Sequence, residues 1–231
     1  SSQTLTKTAG IGYTFSGNTG TNAGEYVVTA TLVNGYKWSD GSTDDVTFKC
    51  SIAKKAVTYK ADSASKVYDG TPLTKQTATL ASGSLVSGHT ASFTINGTIT
   101  NVGTATNTLS SVVIKNSSGT DVSSNYAITK QNGTLTVTQA TGTISLTAKT
   151  ATYSGSAIAA NTATTNSGGT VSYTYYSGDS CSGTALTSAP TNAGTYSVKA
   201  AVAATTNYTA ATSSCVKHTI NARSITATVS V

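Results

Sequence analysis

One phrase is written three times along this 231-residue chain: Thr21-Asn22-Ala23-Gly24-Glu25-Tyr26, Thr100-Asn101-Val102-Gly103-Thr104 and Thr191-Asn192-Ala193-Gly194-Thr195-Tyr196. A turn-and-strand signature that recurs inside one polypeptide means a small unit used repeatedly, so the fold question concerns one unit and the functional question an array. A second phrase sets the period. Residues 50–58, 135–143 and 218–226 align without gaps on Ile52, Val137 and Ile220, which lie 85 and 83 residues apart. That spacing suits a seven-stranded sandwich, and is too long for one turn of a solenoid and too short for a dinucleotide-binding or barrel domain.

The residues between the phrases are strand formers punctuated by turn formers. Thr, Val and Tyr alternate with Gly, Asn, Asp and Ser, and no apolar period of 3.6 residues persists beyond a turn or two. The expected fold class is therefore all-β, built as tandem immunoglobulin-like β-sandwich modules with helix close to absent. Module boundaries are expected at 1–54, 55–139 and 140–221, with residues 222–231 as a C-terminal strand. The middle module is the complete reference: strands are expected at Val57–Ala61, Thr77–Leu80, Ala91–Ile95, Asn107–Lys115, Asn125–Thr129 and Gly133–Thr138, with Asn132-Gly133 read as a two-residue hairpin turn. In the third, strands are expected at Ile144–Ala148, Val171–Tyr176, Gly194–Ala203 and Ser213–Ile220.

The two ends are out of phase with this plan. The first module opens past the point where its siblings have their first strand. After Ile220 the chain runs on as Arg223-Ser224-Ile225-Thr226-Ala227-Thr228-Val229-Ser230-Val231, with Ile225, Ala227, Val229 and Val231 on one face. These residues read as an assembly strand: donated to module one of the next copy, it would give a head-to-tail fibre. The alternative reading is a boundary set by proteolysis or by excision from a longer array. The chain has no Met, no apolar run long enough to span a bilayer and no basic-then-apolar leader, which reads as a processed mature segment or a fragment of a secreted protein.

Chemistry is sparse. Cys181 and Cys215 are expected to pair in the third module, stabilising it by roughly 4 kcal/mol through loop closure and implying an oxidising, extracellular setting. Cys50 reads as a strand residue, with an intermolecular link as the alternative. The formal charge of +6 is spread along the chain, so weak attraction to anionic cell-wall polymer is a partner class and nucleic acid is not. His89 and His218 lack the partners a nucleophilic site needs. Glu25 and seven Asp residues are scattered too widely for a glycosidase pair. Neither an enzyme nor a cofactor is expected. Asp40, Asp44 and Asp45 around Gly41 are weak metal candidates against the simpler reading of a hairpin tip. Tyr173, Tyr175 and Tyr176 form either core packing or a platform for a host glycan or protein. Lys60, Asn125 and Asp69 are candidates for an intramolecular Lys–Asn cross-link. The threonine rows Thr134, Thr136, Thr138 and Thr226, Thr228 read as solvent faces of strands.

Tyr68-Asp69-Gly70-Thr71-Pro72-Leu73, Leu85-Val86-Ser87-Gly88-His89, Thr100-Asn101-Val102-Gly103, Asn125-Tyr126-Ala127-Ile128 and Gly133-Thr134-Leu135-Thr136-Val137 together resemble the YDG-type repeat of large bacterial surface proteins. Residues 21–26 with Gly35-Tyr36-Lys37-Trp38-Ser39-Asp40-Gly41, and 191–196 with Asn207-Tyr208, resemble the related MBG and other bacterial Ig-like repeats. The likeness implies Ig-like sandwiches at the bacterial cell surface, serving as stalks or fibres of adhesins without catalytic residues, with copies or adjacent modules of the same array as partners.

Overall fold

The computed structural model describes residues 3–4, 10–17 and 19–228. Its described residues are almost entirely strand, turn and loop, with one 3₁₀ turn at Ser123–Asn125 and no α-helix. In chain order the strands of the first repeat are β1 (Gln3–Thr4), β2 (Tyr13–Ser16), β3 (Thr19–Gly20), β4 (Gly24–Leu32) and β5 (Val46–Ile52). The middle repeat supplies β6 (Lys55–Ala61), β7 (Ala64–Val67), β8 (Ala78–Gly83), β9 (Thr90–Asn96), β10 (Gly103–Lys115), β11 (Tyr126–Gln131) and β12 (Gly133–Thr138). The third supplies β13 (Ile144–Ser145), β14 (Lys149–Thr152), β15 (Thr164–Thr165), β16 (Val171–Ser177), β17 (Gly194–Val202), β18 (Ala211–Thr212) and β19 (Val216–Asn221).

These residues cluster into two compact units, one of residues 1–64, 74–98 and 105–135, the other of 65–73, 99–104 and 136–231. In the first unit the period-2 pattern of β6 is realised as expected. Val57, Tyr59 and Ala61 are buried while Lys60 stays exposed. They form one core with Ile95 of β9, Leu109 and Ile114 of β10 and Tyr126 of β11, so side chains from two sheets, β11-β6-β8 and the one containing β9 and β10, meet face to face. At about 25 cal/mol per Å² of apolar surface removed from water, burial of this kind is the main favourable term holding the sheets together.

Asn107 is fully buried in the same unit, and its Nδ2 donates to Asp62 O (2.9 Å) and Lys75 O (2.8 Å). One amide thereby satisfies two carbonyls that a sheet-switching chain would otherwise bury unpaired.

Also within the first unit, β2, β4 and β5 form a three-stranded antiparallel sheet in the order β2-β4-β5. Val28 and Ala30 of β4 are its buried residues. Cys50 stands opposite Tyr26 in the ladder, half-buried and with its thiol free.

In the second unit β14, β19, β17 and β16 are ordered neighbours, with β18 paired to β17. Here β14 runs parallel to β19, from Lys149 opposite His218 to Thr152 opposite Asn221. The Cys181–Cys215 disulfide closes across 34 positions with its Cα atoms 5.9 Å apart.

Three strand expectations are corrected. Asn132-Gly133 is not a hairpin turn. β11 pairs in parallel with β6, whereas β12 belongs to the other sheet, so the chain crosses between layers there. Asn132 Oδ1 accepts from Leu109 N (3.1 Å), and a Cβ on Gly133 would meet Ala61 O at 2.5 Å; the dipeptide is selected for close backbone approach, not for a primed turn. The opening strand of the third repeat, expected at 144–148, is split into β13 and β14 because the chain changes sheets between them. Residues 222–228 carry no ladder and Ile225 is 90% exposed, since alternation alone makes a strand only where an edge is at hand to pair with. Val229 and Val231 lie outside the described residues.

Candidate functional site: a repeated asparagine latch

Two of the three copies of the phrase are acceptor loops. In the first unit Tyr26 Oη donates to Asn22 O (2.6 Å), folding residues 22–26 back on themselves and leaving the Ala23 N–H pointing outward. That N–H donates to Asn125 Oδ1 (2.7 Å), and Asn125 Nδ2 donates to Asn22 Oδ1 (2.9 Å). One side-chain amide thus grips both faces of the loop across 102 positions of sequence. Asn125 is held for the purpose by the 3₁₀ turn. Val122 N donates to Ile114 O (2.8 Å), Asn125 N to Val122 O (3.0 Å), and Asp121 Oδ1 accepts from Ser123 N (2.9 Å). The hydrogen bonds from Ser123, side chain and backbone, hold the Asp121 carboxyl below the ordinary carboxylate range, and Lys115 adds to them.

The second unit contains the same device. Val102 N donates to Asn207 Oδ1 (3.0 Å) and Asn207 Nδ2 to Asn101 Oδ1 (3.1 Å). Asn207 O accepts from Ala140 N (2.9 Å), Thr209 N donates back to Ala140 O (3.0 Å), and Gln139 Nε2 reaches Thr205 O (2.9 Å). The Tyr208 ring stands edge-on to Tyr68 with centroids 5.5 Å apart. Tyr68 is fixed by its N–H to Thr138 O (2.8 Å) and by the turn that follows, where Asp69 Oδ1 accepts from Thr71 N (2.9 Å), Thr71 Oγ1 (2.8 Å) and Lys66 Nζ (2.6 Å). These bonds, Lys66 first, hold the Asp69 carboxyl well below its usual range. Gly70 at φ +81° supplies the left-handed residue that the turn needs.

The two latches agree atom for atom: a loop N–H and a loop asparagine are bound by an Asn that precedes a Tyr. The pairing of the adjoining chain agrees too. Lys55 bridges Tyr126 in parallel, and Ala140, its counterpart by alignment, bridges Tyr208 in parallel. Beside the first latch lies a cleft of about 650 Å³ lined by Thr21, Asn22, Ile52, Lys55, His89 and Asn116. His89 Nδ1 is 2.7 Å from the Tyr126 hydroxyl, which also accepts from Val86 N (3.0 Å). The ring belongs to a hydrogen-bonded corner next to the latch.

The other candidates are dispersed. Asp40 Oδ1 accepts from Ser42 N (2.9 Å) and Oγ (2.7 Å), which lowers its pKa, and Trp38 Nε1 donates to Asp44 O (2.7 Å), so this tip is a self-bonded turn. Among the described residues no three His, Cys, Asp or Glu side chains are grouped to hold a metal ion. Tyr175 is 7% exposed and its hydroxyl accepts from Ala160 N (2.8 Å), while that of Tyr173 accepts from Ala163 N (2.8 Å). Tyr175 is thus core packing and cannot offer a stacking face, while Tyr173 is half-buried. Of the cross-link candidates, Asn125 is committed to its latch, Asp69 to Lys66 and Thr71, and Lys60 is exposed on β6.

His218 is fully buried, its ring edge-on to Tyr175 at 5.8 Å, and neither ring nitrogen has a hydrogen-bond partner among the described residues. Burial lowers its pKa. The nearby Ile158 backbone opposes the shift and Lys149 reinforces it.

Asn125 and Asn207 acquire a role here that their sequence context does not state. The available signal was the Asn-Tyr dipeptide recurring in two successive repeats. Nothing in either dipeptide names the loop it binds, because the partner lies more than a repeat length away.

No family model matches the chain, and no curated protein matches it. Among solved structures, the crystal structure of Drosophila N-cadherin EC1-4 is similar at 9% identity and a TM-score of 0.24, covering 86% of this chain and 58% of that one. The chain spans a little over half of that structure's length.

Proposed function

We propose that this chain is a non-enzymatic, extracellular structural protein: a stalk or fibre subunit of a bacterial surface adhesin, made of tandem Ig-like β-sandwich modules of the YDG and MBG kind. The observation that carries this reading is mechanical. In the third repeat β14 and β19, near its beginning and end, are parallel neighbours, and Tyr153 N extends the pairing to Asn221 O (2.8 Å). Tension entering at one strand and leaving at the other slides the two past each other, so the hydrogen bonds are loaded together in shear instead of opening one at a time. The middle repeat forms the equivalent bond from Tyr68 N to Thr138 O (2.8 Å). Two matching asparagine latches support the reading further, because they tie successive repeats at a defined position. The disulfide is weakly consistent with an extracellular setting.

The test is force spectroscopy on the whole chain. Each repeat should yield as a discrete event, a fully extensible one releasing roughly 30 nm at about 3.6 Å per residue. With the disulfide intact the third repeat should release roughly 12 nm less, since 34 positions stay locked, and reductant should restore the difference. Gradual extension without repeat-sized events would refute the proposal.

A further inference from the structure

The first latch accounts for Asn125, Asn22 Oδ1 and the Ala23 N–H, but not for the other polar groups that line the cleft beside it. Lys55 is exposed, and its ammonium has no ion pair or hydrogen bond among the described residues. Asn116 uses Oδ1 to hold the turn that follows it, accepting from Ser118 N (3.1 Å) and Thr120 N (2.9 Å), which leaves Nδ2 without a partner there. In the His89 corner the Tyr126 hydroxyl already accepts from Val86 N (3.0 Å), so its own proton goes to His89 Nδ1 (2.7 Å). The neutral ring therefore carries its proton on Nε2, again unpartnered among the described residues. Asn22 Nδ2 is a fourth unused donor. None of the residues that line the cleft is Asp or Glu.

The second latch shows that this chemistry is not part of latching. Ala140 stands where Lys55 does, and the loop and its asparagine join all the same. The cleft is also shaped for more than a bare ion. Its volume of about 650 Å³ falls in the range of sites for small organic ligands, and Ile52, Val86 and Val122 supply apolar wall between the donors. An extended peptide binds by adding to a free strand edge. The strand residues Ile52 and Lys55 at this cleft already pair with Gly24 and Tyr126, so no such edge is on offer.

We propose that this cleft is a binding site for a carboxylate-bearing sugar residue of the hexuronate kind. Lys55 Nζ and His89 Nε2 take the carboxylate, the amides of Asn116 and Asn22 donate to ring hydroxyls, and the C–H face of the ring lies on Ile52, Val86 and Val122. A donor set without a competing carboxylate favours an anion, and the charge-assisted bond to Lys55 is its strongest member. The site goes beyond the stalk reading and does not depend on it.

An amide-resolved NMR titration of the full chain with galacturonate tests it, with galactose, acetate and N-acetyl-dialanine as comparison probes. Galacturonate should shift amides in 21–23, 52–55, 86–89 and 116–126, and galactose and acetate should each bind about tenfold more weakly. Lys55→Ala should weaken galacturonate binding about tenfold by removing the charge-assisted bond. Asn116→Asp keeps the acceptor for Ser118 and Thr120 but replaces the donor with a negative charge, and should abolish binding. Spectra of both variants without ligand should match the parent outside the cleft. No shift with galacturonate, shifts elsewhere, or an affinity unmoved by Lys55→Ala overturns the site. Acetate binding as tightly as galacturonate, or the dipeptide binding more tightly, overturns the sugar assignment. Repeat-sized force events from the same chain would leave the stalk reading in place.

Discussion

In the middle repeat Val57, Tyr59 and Ala61 of one sheet face Ile95, Leu109 and Ile114 of the other, and a continuous apolar core lies between. The third repeat is arranged differently. Val198, Ala200, Val202 and Ile220 are buried in a sheet of five strands, while the remaining ladder, β13–β15, has two residues on each strand. What closes that repeat is a set of point fastenings: the Cys181–Cys215 bond, the Tyr173 and Tyr175 hydroxyls holding residues 160–163, and Ser213 Oγ accepting from Ala200 N (3.0 Å). Two regions of similar length and related sequence thus keep their shape by different terms. One relies on area removed from water; the other substitutes covalent and hydrogen-bonded pins where regular layering thins out.

Variants that remove one kind of fastening should separate the regions. The largest effect is expected from replacing both Cys181 and Cys215 with Ser, which restores the entropy of the opened loop and should cost the third repeat about 4 kcal/mol. Hydrogen exchange should show faster opening in residues 140–221 and no change in 55–139. Equal loss in both would merge the two into one cooperative block. Ile114→Ala should reverse the pattern. Ile114 is 0% exposed, and its truncation should cost the middle repeat about 3 kcal/mol by denaturant titration. Asn107→Ala follows at about 2 kcal/mol, because the carbonyls of Asp62 and Lys75 lose their donor inside the protein. Exchange should quicken around residues 62 and 75. Tyr175→Phe removes only the bond to Ala160 N and should cost about 1 kcal/mol, with local exchange at 158–163 as its signature.

The subtlest difference concerns pH. The His218 pKa is lowered by burial, so the unfolded chain binds a proton that the folded third repeat resists. The stabilising contribution is complete above the unfolded value of about 6.5 and is lost as pH falls from there toward the folded value. Just below pH ~6.5 the third repeat should therefore destabilise on acidification while the middle one does not, its lowered carboxylates Asp69 and Asp121 losing their contribution only at lower pH, and His218→Leu should flatten the slope in that window. A slope unchanged by His218→Leu would assign the acid sensitivity to other groups.

Alternating residues with Gly and Asn punctuation made the all-β character and most strand positions legible, since a half-buried strand needs side chains of period 2 and tight turns need those residues. β12 at Gly133–Thr138 lies where its pattern puts it, and β6, β9 and β16 begin or end within two residues of expectation. Pairing was less legible. Parallel and antiparallel neighbours share the same alternation, so β11 alongside β6, and the crossing at Asn132-Gly133, could not be read locally. The Cys181–Cys215 pairing was readable because cysteines are few. The burial of Tyr175 was not, because alternation assigns a face without saying which face is covered.

The amino-acid order by itself determined that this chain repeats a strand-rich unit about 84 residues long and that the phrase Thr-Asn-x-Gly opens the same strand each time, because local turn chemistry and side-chain period act over a few neighbouring residues. Only the tertiary structure decided that the phrase is also a receptor in two of its copies. The amide that binds it arrives from 102 to 106 positions away, and a hydrogen bond between groups so distant depends on the geometry of two folded surfaces, which no local pattern encodes.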